Sequence, residues 1–247
     1  MKHLVIASKK TMLLSIVGVV LILILSQAEQ LVQLFRMDSA LMAGTHGDLV
    51  LSALRSDWIV LALPILSALP SAASFIDDIK SGFIKEYLPR TTVRRYIADK
   101  IIASILSGGL VLFLGICIAY GISCILIPFE VPMPEEWETM PYLAHILRGA
   151  FLFFLSGAFW ALTGLTIASL TGSRYMAYSS SFIFYYVLTI LCERYMKNLY
   201  ILYPKEWLNP SEPWPFGDFG IIIWVIELCL LMSLLFAHSA RKKLRNL

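Results

Sequence analysis

Residues 149–170 read GAFLFFLSGAFWALTGLTIASL, a run of the chain that contains no charged side chain. A helix rises about 1.5 Å per residue and needs about 20 apolar residues to cross the hydrocarbon core of a bilayer, so this run is long enough. Gly157, Ala161, Gly164 and Ala168 recur in it at helical spacing, which lets a neighbouring helix approach closely. The stretch predicts a membrane-spanning helix, with packing inside this chain favoured over a seam between subunits.

Five other apolar stretches reach or approach the same length. The predicted spans, in chain order, cover about residues 11–28, 57–76, 101–127, 147–170, 175–192 and 219–238. Apolar residues make up 58% of the chain and charged residues 15%, with a mean hydropathy of +0.75, which lies outside the range of soluble globular proteins. We therefore predict an all-α membrane protein with six transmembrane helices, folded as a single domain over residues 1–247.

The basic residues predict the orientation of the chain, because cytoplasmic connections carry an excess of Lys and Arg. Fourteen of the twenty fall in the N-terminal tail, the second and fourth connections and the C-terminal tail: Lys2, Lys9, Lys10, Lys80, Lys85, Arg90, Arg94, Arg95, Lys100, Arg174, Arg241, Lys242, Lys243 and Arg245. Both termini are thus expected in the cytoplasm. Since these charges sort by membrane side, the net charge of +3 predicts no nucleic-acid partner.

The first apolar stretch has a second interpretation. Lys9 and Lys10 precede a short hydrophobic run that ends in Ser26-Gln27-Ala28, a pattern that resembles a secretory signal with a small-residue cleavage site. Against cleavage, Leu31 and Val32 continue the apolar pattern as one helix would. If the segment were cleaved, five spans would remain.

Several catalytic motifs are missing from the sequence. No glycine is followed by lysine, which excludes a phosphate-binding P-loop, and no histidine is followed by glutamate, which excludes a His-Glu-x-x-His metal site. No Gly-x-Ser-x-Gly motif occurs, and the cysteines form no Cys-x-x-Cys pair. We therefore predict no catalytic residue, no metal site and no cofactor bound by this chain.

The connection between the second and third spans reads DDIKSGFIKEYLPRTTVRRYIADK over residues 77–100. Pro89 cannot continue a helix, and Thr91 or Thr92 can cap the next one. In the helix before Pro89, an apolar face and a wet face are expected. The apolar face carries Ile79, Phe83 and Tyr87, and the wet face carries Asp78, Ser81 and Lys85. The pattern predicts an amphipathic element at the cytoplasmic boundary, with a solvated loop as the alternative.

The order of residues in this connection resembles the permease subunits of ABC type-2 (ABC-2) transporters. Members carry an acidic-x-x-x-Gly pattern, a Leu-x-x-Pro pattern and a basic-Tyr-x-x-x-Lys pattern between their second and third helices. The matching positions here are Asp78, Gly82, Tyr87, Leu88, Pro89, Arg90, Tyr96 and Lys100. The long connection Glu193–Asp218, rich in Tyr and Trp, is similar to the folded outer connection of that family, although interfacial anchoring explains these residues equally well.

The resemblance implies the permease subunit of an ATP-driven exporter in the cell membrane of a bacterium. A separate nucleotide-binding ATPase would bind ATP and Mg and press on an amphipathic coupling helix between spans 2 and 3. A second permease copy, or a related permease, would complete the transporter within the lipid bilayer. The residues expected to couple to the ATPase are Asp78, Gly82, Lys85, Glu86, Pro89 and Arg90.

Glu227 is a carboxylate inside the last apolar stretch, where ionisable groups are costly. Arg148 and Arg194 lie near the outer ends of the fourth and fifth spans and are its candidate partners. A buried ion pair and a polar group on a substrate path are both open for these three residues.

Two other classes of function fit parts of the sequence. A membrane-embedded enzyme, such as a protease or a lipid-modifying protein, would need paired catalytic groups at membrane depth. A non-transporting immunity or sensor protein would act without an ATPase. For an exporter, peptide, lipid-linked sugar, drug and ion substrates all fit the sequence.

Overall fold

The computed structural model of the protein describes residues 2–36, 41–42, 45–87, 89, 91–127, 130–131, 142–196 and 199–245. Almost all of the regular structure in these ranges is helical. The helices are α1 (Lys2–Ser26), α2 (Ala28–Arg36), α3 (Thr45–Leu54), α4 (Asp57–Ala68), α5 (Ser74–Lys80), α6 (Phe83–Tyr87), α7 (Val93–Leu126), α8 (Tyr142–Thr171), α9 (Arg174–Arg194) and α10 (Asp218–Arg245). The described residues also contain two short parallel strands, β1 (Leu41–Met42) and β2 (Glu130–Val131). A 3-10 helix covers Tyr200–Leu202.

Five helices are long and apolar enough to cross a membrane. They are Lys9–Ser26 of α1, α7, Leu143–Thr171 of α8, α9 and Phe219–Arg245 of α10. Large apolar side chains such as Leu14, Leu25, Leu230 and Leu234 point outward from the bundle, as contact with lipid requires. The chain is a multi-pass membrane protein, and the predicted all-α class is confirmed.

The helices extend beyond the apolar stretches that predicted them, because hydrogen bonding continues where the chain enters a polar environment. Helix α7 begins at Val93, well before the predicted span at residue 101, since the Thr92 side chain accepts a hydrogen bond from the Arg95 amide at 3.3 Å. This cap is one of the two that the sequence predicted.

The predicted second span is broken. Helix α4 ends at Ala68, a turn containing Pro70 follows, and α5 begins at Ser74. Proline has no amide hydrogen to continue the helix, which explains a break at this point. Helices α3 and α4 are also apolar enough together to form one bent crossing, with 65° between them.

Ion pairs hold residues 57–77 antiparallel to α9 at both of its ends. At one end Asp57 lies 3.2 Å from Lys205, whose amine lies 3.5 Å from Glu193 near the end of α9. At the other end Asp77 pairs with Arg174, the first residue of α9. A helix of 21 residues is about 31 Å long, so these two pairings lie at opposite ends of a helix long enough to cross a bilayer.

The long connection after the first span contains helices α2 and α3. Within it, α3 buries Leu49, Val50 and Ala53 against α1, α7 and α8. The Ser123 hydroxyl of α7 donates a hydrogen bond to the His46 carbonyl at 2.9 Å. Helix α1 itself packs into the bundle, where Val19 lies against Gly115 of α7.

Helix α8 is the centre of the bundle. Within its most apolar window 83% of the residues are buried, against 17–39% in the other four candidate spans. The small-residue face predicted for it packs within this chain. A Cβ atom added at Gly157 would lie 2.7 Å from the Gly108 carbonyl of α7, and one added at Gly164 would lie 2.5 Å from the Ala177 carbonyl of α9.

One end of the bundle carries Lys9, Lys100, Arg174 and Lys243, and we call it the basic end. Lys9, Lys100, Asp77 and Tyr178 border one cavity there, so the start of α1, α5, the start of α7 and the start of α9 meet at this end. Lys243 of α10 lies beside Gly172, which places the end of α10 there as well.

Candidate functional site

The candidate site lies at the basic end and begins with Asp78 on α5. This residue is only 3% exposed. The Tyr96 hydroxyl donates a hydrogen bond to its Oδ2 at 2.7 Å, and the Lys100 amine lies 2.8 Å from the same oxygen. Tyr96 and Lys100 are four residues apart and share one face of α7. The prediction that Asp78 faces water is wrong, because the start of α7 packs over it and supplies both partners.

Asp77, the neighbour of Asp78, joins α5 to a different helix. Its Oδ1 accepts a hydrogen bond from Arg174 Nε at 2.7 Å, and Arg174 Nη2 lies 2.6 Å from the same oxygen. This pair is open to solvent, with 53% of the Arg174 side chain exposed. The two consecutive aspartates therefore connect α5 to the starts of both α7 and α9.

Gly82 makes the turn between α5 and α6. Its φ is +75°, a left-handed conformation that favours glycine, and a Cβ atom added there would meet nothing within 4 Å. The glycine at this position therefore serves the backbone turn, and no neighbour within the described part of the chain packs against it. The single helix expected over this region is instead two short helices joined by the turn.

Helix α6 extends from this turn with one residue anchored and two exposed. Ile84 is 2% exposed and belongs to the apolar cluster formed by α5, α7, α8, α9 and α10. Lys85 and Glu86 are exposed, as is Pro89 after the helix. Arg90, the last of the predicted coupling residues, lies outside the described residues. The predicted faces are therefore only partly correct: Lys85 is exposed as expected, but the buried apolar residue of α6 is Ile84, and Ile79 and Phe83 are only half-buried.

A cavity of about 390 Å³ opens beside these ion pairs. It lies between α1, α5, α7 and α9, and its charged lining comprises Lys9, Asp77, Asp78 and Lys100. A hydrogen bond of 3.1 Å between the Ser71 and Ser104 hydroxyls links the turn after α4 to α7. The polar groups of the basic end thus hold the segment around α5 against the spanning helices.

The three residues proposed around Glu227 do not come together. Glu227 lies on the outward face of α10, exposed beside Ile223, Ile226 and Leu230. Among the described residues it forms no ion pair with Arg148 or Arg194. The buried pair is therefore absent, because α10 turns this face away from the bundle. In a bilayer, an ionisable side chain on this face is costly unless another chain covers it.

The opposite end of the bundle carries a second polar network, which the sequence interpretation missed. The Tyr203 hydroxyl donates to Glu193 at 2.8 Å, and burial together with that hydrogen bond raises the pKa of Tyr203. The pKa of Lys205 is raised above its ordinary value. Burial alone would lower this pKa, but the hydrogen bond to Asp57 and the negative charges of Asp57 and Glu193 together have the larger effect. Lys205 therefore remains charged and ties the loop after α9 to the start of α4.

Trp207 and Trp214 fold that loop back into the bundle. Trp207 is 1% exposed, donates its Nε1 hydrogen to the Ile201 carbonyl at 2.8 Å, and packs against Phe159 and Trp160 of α8. These two tryptophans are buried, and thus differ from interfacial anchors.

The described residues contain no group of three or more His, Cys, Asp or Glu side chains placed to hold a metal ion. All four cysteines are free thiols. Comparison of the chain with protein-family models, with curated proteins and with solved structures gave no match.

Proposed function

We propose that this chain is the membrane-spanning permease subunit of an ATP-driven ABC-2 type exporter in a bacterial cell membrane. A separate ATPase subunit binds ATP and Mg, and a second copy of the chain or a related permease completes the transporter. The observation that carries the proposal is the α5–α6 hairpin at the basic end, which exposes the charged residues of α6 while α5 is held by ion pairs to two spanning helices.

The hairpin provides a route for force into the membrane. A push on the exposed face of α6 passes through the Gly82 turn to α5. The contacts of Asp78 with Tyr96 and Lys100 carry it to α7, and the pair between Asp77 and Arg174 carries it to α9. An ATPase that docks on α6 would thus move two spans at once.

The proposal includes six spans with both termini in the cytoplasm. Counting residues 57–80 as the second, broken span is supported by the ion pairs at both ends of α9. The positive charge of the basic end supports placing that end in the cytoplasm. The outward position of Glu227 supports a second membrane chain beside α10, because such a chain can cover the carboxylate.

The proposed docking of the ATPase predicts the effect of charge reversal on α6. Lys85→Glu and Glu86→Lys alter exposed side chains, so the fold should change in stability by less than about 0.5 kcal/mol. Co-purification of the ATPase in mild detergent, and ATP hydrolysis coupled to export, should fall sharply. The matched control is Lys242→Glu, an exposed charge at the same end on α10. Wild-type recovery of the ATPase by both α6 variants would contradict the docking proposal, and transport by this chain without any ATPase would contradict the function.

The proposed orientation predicts which positions can be labelled from each side. Single cysteines at positions 85 and 94, in a background without Cys117, Cys124, Cys192 and Cys229, should react with a membrane-impermeant maleimide only after the cytoplasmic side is opened. A cysteine at position 212, in the loop before α10, should react in intact cells. Labelling of position 85 in intact cells would reverse the orientation.

A further inference from the structure

Only one charged residue, Glu227, falls within the apolar parts of the six predicted spans, which are residues 11–25, 58–76, 101–127, 149–170, 175–192 and 219–237. It lies eight residues, about 12 Å, from Phe219 and ten residues, about 15 Å, from Ala237, so it is near the middle of its span. Ionisable groups at this depth are rare, and they almost always face the interior of a helix bundle or a polar partner. The exposure of Glu227 therefore indicates an assembly larger than one chain.

Helix α10 has one face in the bundle and the opposite face open. Ile221 and Phe236 are at most 1% exposed, and they anchor the first face. On the same side, the Ser169 hydroxyl of α8 donates a hydrogen bond to the Ser239 hydroxyl at 3.0 Å. Glu227 lies on the open face. The chain cannot cover this residue by rotating α10, because the rotation would break the contacts with α8.

The open face of α10 has the spacing of a helix–helix interface. Ile223, Glu227, Leu230 and Leu234 follow one another at intervals of four, three and four residues. This spacing keeps a row of side chains facing a partner helix along its length. The three apolar members of the row are between 53% and 70% exposed. A single polar residue in such a row fixes the register and the number of associating helices, and Glu227 occupies that position.

A second copy of this chain meets the requirements of the open face. Because all copies insert in the same orientation, the α10 helices of two copies lie parallel. Around a two-fold axis, each residue of the row can then meet the same residue of the partner. Two carboxyl groups that meet in this way can share a proton, since a carboxyl group acts as donor and acceptor. An identical chain therefore supplies a polar partner at the right depth, where the other apolar stretches offer no cation.

We propose that two copies of this chain associate through α10, with Ile223, Leu230 and Leu234 in an apolar seam and the Glu227 carboxyl groups paired within it. Arg241 lies beyond the apolar stretch and is exposed, so water and salt screen its repulsion from the second copy. The inference identifies the second membrane chain of the proposed transporter, and it rests on that proposed function only for the use of the dimer in export.

Disulfide crosslinking in native membranes locates the interface. The variants Leu230→Cys and Leu234→Cys are made in a chain whose four native cysteines are replaced by alanine, and a mild oxidant is added. Both should form a covalent dimer of the chain. The matched control is Ile183→Cys on α9, a side chain that is 52% exposed and also lies in the middle of its helix. The control should remain monomeric.

Energy transfer between dye-labelled copies in phosphatidylcholine vesicles, at increasing dilution with lipid, measures how tightly the copies associate. Glu227→Leu should weaken the association by roughly ten-fold, because it removes a hydrogen bond between helices. Glu227→Gln should associate like the wild type, since an amide also donates and accepts. Both substitutions alter an exposed side chain, so the chain should fold in each case, and the elution profile of the extracted protein checks this.

Three results would overturn the proposed dimer. Equal crosslinking of Ile183→Cys and Leu230→Cys would show random collision between copies. A crosslinked product that contains a different protein would show that another chain covers α10. Association of Glu227→Leu as tight as that of the wild type would show that the carboxyl group is not the contact. Neither measurement uses an ATPase, so loss of export with an intact dimer would count against the proposed function alone, and failure to crosslink would count against the dimer alone.

Discussion

Replacing Asp78 by alanine is expected to destabilise the bundle by about 3 kcal/mol, the cost of breaking a buried ion pair. The substitution leaves the Lys100 amine and the Tyr96 hydroxyl facing a gap where the carboxylate stood. Asp78→Lys should be worse, because it sets a second cation beside Lys100. The measurement is the thermal unfolding and the elution profile of the detergent-extracted protein.

Two controls separate this effect from a general sensitivity of α5. Asp77→Ala removes the neighbouring carboxylate, but the pair of Asp77 with Arg174 is solvent-exposed, so the loss should stay below about 1 kcal/mol. The exchange Asp78→Lys/Lys100→Asp restores opposite charges and should recover part of the stability lost in Asp78→Lys. An Asp78→Ala protein with the unfolding temperature of the wild type would refute the structural role of this network.

The burial of Asp78 makes this residue unsuitable for testing coupling to an ATPase. If Asp78 were on a wet face, reversing its charge would leave the fold intact and report on docking alone. Because it is buried, loss of transport in Asp78→Lys would follow from unfolding as readily as from uncoupling. Lys85 and Glu86 are exposed on α6 and remain suitable for that question.

The sequence predicted those features that depend on local pattern. The length of the uncharged, apolar stretches predicted the spanning helices. The spacing of small residues such as Gly157 and Gly164 predicted the face of α8 that neighbouring helices approach closely. The cap at Thr92 followed from its position after Pro89. In each case the decisive residues lie within a turn or two of one another, so their relationship can be read from the chain.

The features that were missed depend on residues distant in sequence. Asp77 and Arg174 are 97 positions apart, and no local pattern connects them. The burial of Asp78 depends on how α7 crosses α5, although the four-residue spacing of Tyr96 and Lys100 was a signal that both could face one partner. A cavity of about 410 Å³ joins Leu54 of α3, Leu152 of α8 and Asn209 of the loop after α9, and these residues become neighbours only in the folded bundle.

Helices α7 and α8 approach each other most closely around Gly108 and Gly157. A Cβ atom added at Gly108 would lie 2.5 Å from the Ala161 Cβ and 2.8 Å from the Gly157 carbonyl oxygen. Backbone atoms cannot rotate away as a flexible side chain can, so the two helices must separate. Gly108→Ala should therefore cost about 3 kcal/mol, the upper range for overpacking a core, and Gly108→Leu should prevent recovery of a folded protein.

The matched control lies on the same helix. Gly121 has nothing within 4 Å of an added Cβ atom, and alanine favours the helix over glycine by about 1 kcal/mol, so Gly121→Ala should be neutral or stabilising. Both alanine variants raise the helix propensity of α7 equally, and only the packing differs between them. Thermal unfolding of the two in one detergent measures that difference directly. If Gly108→Ala were as stable as Gly121→Ala, then α7 and α8 could not approach as closely as the structure requires, and the centre of the bundle would have to be packed differently.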